Sequence, residues 1–165
     1  MGVYLAIPAG LLAAALQSTL MPYVAIGGVA PNLVLVVLVI WVLLARTQEG
    51  LVFALSAGVA LDTLSAAPFG TAIVGLTLVA LLAGLGAANL FRAAWYLPYV
   101  AIIVSTLVYG VYQVTVLQAV GRLAPLGDSV LYVILPELLG NLVLMALGYE
   151  LARGYGRWRH RGEVA

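Results

Sequence analysis

The chain has 165 residues, of which 65% are hydrophobic and only 8% charged, with a mean hydropathy of +1.17. A soluble domain carries about 25% charged residues to cover its surface, so this composition excludes a water-soluble globule and points to a single integral membrane domain, residues 1–165. The net charge of +1, with no basic stripe along the body, excludes nucleic acid as a partner; the absence of cysteine excludes disulfides, thiolate metal sites and cysteine nucleophiles.

Taken in order, the first apolar segment covers 3–20. Ala6, Gly10 and Ala14 recur at a spacing of four, a small-residue face that lets another helix approach closely. Gln17, Ser18 and Thr19 form a polar cluster near its end. No basic region precedes the segment and further spans follow it, so it reads as a retained helix and not as a cleaved signal. Met21 to Ala30 is an uncharged turn. The second segment, 31–45, opens on Pro31-Asn32, with the proline suited to a first helical turn where its missing N–H costs nothing. Trp41 is placed toward the membrane interface, and Arg46 to Glu49 form a short polar loop.

The third segment, 50–64, carries small residues (Gly50, Ala54, Ala57, Gly58) and one carboxylate, Asp62; Pro68 and Gly70 then break the chain. The fourth, 71–90, is followed by an aromatic loop with Phe91, Arg92, Trp95 and Tyr96. The fifth, 97–120, leads to a loop with Arg122 and Pro125. The sixth, 129–151, precedes a basic tail, 152–165, with Arg153, Arg157, Arg159 and Arg161. Such lengths suit a hydrocarbon core about 30 Å thick at about 1.5 Å per residue. Lipid offers the backbone no hydrogen-bond partners and the alternation of a membrane barrel is absent, so the expected fold is all-α: a polytopic bundle of six transmembrane helices.

Arginine placement sets the orientation. With six spans, Arg46, Arg92 and the tail arginines fall on one side and only Arg122 on the other. Both termini are therefore expected in the cytoplasm, with Asp62, Pro68 and Asp128 near the outer face. The tail reads first as an anchor attracted to anionic lipid.

Two groups of residues could carry function. Asp62 is either a site residue, since a carboxylate at a span is costly, or a cap on the backbone around Leu64 to Ala67, held by the Pro68-Phe69-Gly70 turn. On the fifth segment Ser105, Tyr109 and Gln113 share one face, and on the sixth Glu137 and Asn141 do so behind Pro136. These faces are expected to meet, either as interhelical hydrogen bonds or as a polar pocket. Enzyme signals are missing: His160 is the only histidine and lies in the tail, and there is no metal-ligand cluster, phosphate-binding glycine loop or catalytic Ser/His/Asp set. No cofactor is expected.

The order of motifs resembles the MreD family of bacterial rod-shape-determining membrane proteins. The likeness rests on Leu16-Gln17-Ser18-Thr19-Leu20; on Pro31-Asn32; on Gly50, Gly58, Leu61-Asp62 and Phe69-Gly70; and on Pro136 with Asn141. The resemblance implies a non-enzymatic subunit of the machinery that elongates the lateral cell wall, in the bacterial inner membrane. It implies a fold similar to the S components of energy-coupling-factor vitamin transporters. It implies MreC as partner, and through the complex RodA, its penicillin-binding transpeptidase and the MreB filament. Gly50, Gly58, Asp62, Pro68 and Gly70 become candidate partner-binding or structural residues, with Ser105, Tyr109, Gln113, Glu137 and Asn141 as a candidate buried polar network. The small-residue faces of the first and third segments would dock a partner's span. The rival reading is a substrate-binding S component itself, with Asn141, Gln113 and Glu137 on a ligand.

Overall fold

Among the described residues every long apolar run becomes a helix. A computed structural model describes residues 2–25, 28–65, 67–89, 96–121 and 126–162. Helix α1 is Val3–Thr19, α2 Leu33–Leu44, α3 Thr47–Leu64, α4 Thr71–Asn89 and α5 Leu97–Ala119. A short α6, Leu126–Ser129, continues through a π-helical turn, Val130–Ile134, into α7, Leu135–Gly162. Read with its lead-in as one rod, α7 brings the bundle to six helices. The loop with Phe91, Arg92 and Trp95, the loop with Arg122 and Pro125, and the side chains of the tail arginines and His160 lie outside the described residues.

Helix α2 is the hub. It is apolar on every side, and Val34, Leu35, Val36, Leu38, Val39 and Val42 are all buried. A helix with no polar face belongs in the interior, and α2 touches α1, α3, α4, α5 and α7. It is also short: its 12 residues amount to about 18 Å of helix, well under a hydrocarbon core of about 30 Å. Among the described residues two helices are long and apolar enough to cross a membrane, Leu97–Ala119 and Gly127–Ala152.

Several boundaries differ from the sequence reading. The α2–α3 connection is only Ala45-Arg46, because Thr47, Gln48 and Glu49 already belong to α3. Pro31 is not in the first turn of α2; it precedes the cap residue Asn32, whose side chain accepts from the Leu35 N–H at 3.0 Å. Trp41 packs its ring on Phe53, centroids 5.7 Å apart, so its indole serves the core. The π-helical turn sits just ahead of Pro136. A proline cannot donate to the carbonyl one turn back, and a widened turn is a common way for a membrane helix to absorb that loss. Gly110 on α5 leaves the room: a Cβ there would lie 2.8 Å from Ile134 Cγ1.

The small-residue faces expected to dock a partner's span are used inside the chain. Helix α1 packs chiefly along α3, burying Ala6, Gly10, Ala13 and Ala14 against Phe53, Ala54 and Ala57. A side chain at Gly10 would run into Ser56 and the Phe53 carbonyl. Without a hydrophobic drive between helices in lipid, such close approach is what binds them, and here α1 and α3 satisfy each other. Gly58 faces α4: a Cβ there would lie 2.6 Å from Ile73 Cα and 2.9 Å from Ile73 N. Backbone cannot rotate away as a side chain can. Gly58→Ala is therefore expected to push α4 off α3 and destabilise the bundle by about 1–3 kcal/mol, the usual range for overpacking. A melting temperature equal to the parent's would refute that contact.

Candidate functional site

The polar side chains collect at one end of the bundle, where α1, α3 and α5 finish and α2, α4 and α7 begin. Three local structures build the site there.

The first is the start of α4. The opening N–H groups of a helix have no partner within it. Asp62, near the end of α3 and 5% exposed, reaches across the turn to supply one. Its Oδ2 accepts from Gly70 N at 2.9 Å and Ile73 N at 3.2 Å, and its Oδ1 from Ala72 N at 2.8 Å. Thr71 N donates to the Pro68 carbonyl at 3.2 Å, and Val74 N to Gly70 O at 3.0 Å begins the regular ladder. Every opening amide of α4 is thus satisfied, and the carboxylate sits on the positive end of the helix dipole. Among the described residues Asp62 caps α4, not the 64–67 backbone next to its own helix. Gly70 has φ +99, a conformation glycine adopts without the Cβ clash that other residues meet. Pro68 contributes its carbonyl, which also accepts from Thr71 Oγ1 at 2.7 Å. Gly50 is buried against Val42 of α2, at the far end of α3 from Asp62.

The second is the start of α2. Asn32 N donates to Asn141 Oδ1 at 2.6 Å, and Leu33 N to Gln17 Oε1 at 2.6 Å. Gln17 Nε2 returns a bond to the Pro31 carbonyl at 3.2 Å. Asn141 Nδ2 donates to Thr106 Oγ1 on α5 at 3.0 Å. Buried backbone groups outside a regular helix need protein partners, and Gln17, Asn32 and Asn141 supply them here. Sequence reasoning marked Gln17 as part of a polar cluster and of the family motif, without a structural partner, and missed Thr106. Asn32, ahead of an apolar run, carried an N-cap signal that the neighbouring proline obscured.

The third is a cavity of about 450 Å³ between these two corners. Gln17, Asn32, Asp62, Tyr109, Gln113 and Glu137 supply polar groups to its wall. Gln113 Nε2 donates to the Tyr109 hydroxyl at 2.9 Å. The half-buried Glu137 lines the cavity with Asn32, one turn before Asn141 on α7. Tyr109 lies ten residues before the end of α5, about 15 Å along the helix, so the cavity reaches well into the bundle. Of the polar network read from sequence, Tyr109, Gln113 and Glu137 line this cavity. Asn141 is fully buried and meets α5 through Thr106, one position past Ser105, which is itself buried.

The family model for the rod shape-determining protein MreD matches residues 1–154. The chain belongs to the MreD family. No curated protein and no solved structure matches it. Membership places the chain in rod shape determination and in a membrane-associated family of structural rather than enzymatic character. The residues that carried the resemblance now have places: Gln17, Asn32 and Asn141 close one corner of an MreD bundle, and Gly58, Asp62 and Gly70 close the other.

Proposed function

We propose that this chain is a six-span, non-enzymatic scaffold of the bacterial wall-elongation complex, with both termini in the cytoplasm. It binds MreC and through it holds RodA, the transpeptidase and the MreB filament in one assembly. The family match over residues 1–154 carries this reading. The arginine bias supports the orientation: it puts the polar end of the bundle, with its cavity, on the outer side. The turn around Asp62 to Gly70 then meets the partner's juxtamembrane region. Asp62 holds this turn from within, and Phe69 is 69% exposed on it, an aromatic side chain suited to anchoring a contact.

The test is a mild-detergent pull-down of the tagged chain from its native membrane, read by mass spectrometry. MreC and the wall synthases are expected to come along. Phe69→Ala is expected to cut MreC recovery at least about tenfold, equivalent to about 1.4 kcal/mol, with the melting temperature unchanged. One observation favours the rival S-component reading: the cavity with Gln113 and Glu137 on its wall. Recovery of an ATPase pair and a coupling subunit in place of MreC would establish that rival.

A further inference from the structure

We propose that the outer cavity is a receptor for one cationic group, a protonated amine or a guanidinium. The inference goes beyond the scaffold reading and holds whichever assembly the chain joins. Its size comes first: about 450 Å³ lies within the roughly 300–1,000 Å³ of small-ligand sites. A lone side-chain head or a small diamine fits; a folded domain does not.

The wall decides the sign of charge. Carboxyl groups reach it from two helices, Asp62 of α3 and Glu137 of α7, and no Arg, Lys or His lines it among the described residues. Asp62 is committed to the amides of α4. Glu137 shares the wall with Asn32, Tyr109 and Gln113, neutral groups that supply no positive charge. Ionisable groups within a span pair with a partner charge or face a water-filled pathway. The remaining wall is suited to a donor-rich guest. Gln113 gives its N–H to Tyr109, which leaves Oε1 to accept, and Gln17 and Asn32 are anchored in backbone bonds. The π-helical turn at Val130–Ile134 leads directly into this wall, with Val133 and Glu137 both on it one turn apart. Turns of this kind recur where a helix presents a functional side chain.

The chain's freedom from cysteine permits a direct test on the purified full-length protein. A single cysteine is placed on the wall as Gln113→Cys, with Ser65→Cys at the cavity's edge as the alternative reporter should the first misfold. Each is labelled with a trimethylammonium methanethiosulfonate and with its sulfonate counterpart, every rate being normalised to the reagent's rate with a free thiol. The cationic reagent is expected to react roughly tenfold faster or more, the enrichment that a charged cleft produces. Adding Glu137→Gln, which keeps the hydrogen-bonding shape, is expected to bring the ratio close to one. Agmatine, an amine with a guanidinium, is expected to slow labelling where the guest is a small molecule. Protection in membranes holding the assembled complex, with no effect of agmatine on the purified chain, would identify the cation as a partner's Arg or Lys. Equal normalised rates, a ratio indifferent to Glu137→Gln, or no protection in either setting would overturn the proposal.

Discussion

Asp62→Ala is expected to lower the melting temperature of the purified bundle by roughly 10 °C, corresponding to about 3 kcal/mol for a chain of this size. The carboxylate accepts from Gly70, Ala72 and Ile73. Alanine leaves three donors at the head of a helix with no acceptor. An unmade hydrogen bond at a buried amide costs more than a made one stabilises, because the desolvation penalty remains. The dipole of α4 also loses its compensating charge. Asp62→Asn should fall between alanine and the parent, since one oxygen survives while the charge does not. Thermal unfolding in detergent, followed by intrinsic fluorescence, reads both variants. An alanine variant melting within about 2 °C of the parent, well under the roughly 10 °C expected, would show that Asp62 does not hold α4. If Asp62 contacted a partner rather than the chain itself, complex recovery would fall while melting stayed constant.

The second large effect is expected at Asn141. Asn141→Leu keeps the volume and removes both polar ends, leaving Asn32 N and Thr106 Oγ1 without their partner. The expected loss is about 2–3 kcal/mol, typical of breaking a buried polar network on one side. Gln17 holds the very next amide, Leu33 N, so Gln17→Leu acts on the same corner of backbone. Once one residue is gone the corner is already loosened, and the double variant should lose about 1 kcal/mol less than the sum of the singles. Additivity within about 0.3–0.5 kcal/mol, the norm for independent sites, would show that the two side chains do not act on one structure.

Both effects concern residues visible in the sequence, yet their partners were not. Asp62 stood out because a carboxylate is rare in such a chain, and a capping role was one of two readings. Its partners were misplaced: the sequence reading looked to the backbone around 64–67, and the amides are those of Gly70, Ala72 and Ile73. Cap signals are local, whereas Asp62 reaches over a turn whose shape depends on Gly58 letting Ile73 come close. The small-residue faces of α1 and α3 were equally plain, and their spacing said that something packs closely there. It could not say that each is the other's partner. Spacing describes one face of one helix, and an unoccupied face looks the same in sequence as one covered from within the chain.

The sequence by itself determined the all-helical class, the order of the helices and the family. These follow from hydropathy, from turn residues and from motif order, all of which are properties of consecutive residues. Only the tertiary structure decided which faces meet, that α2 is the hub, and that Gln17, Asn32 and Asn141 converge on one irregular corner. Asn32 and Asn141 are 109 positions apart, and no local pattern links them. The physical reason is that breaks in a buried backbone must be satisfied by whatever side chain the packing brings near. Packing is a property of the whole bundle.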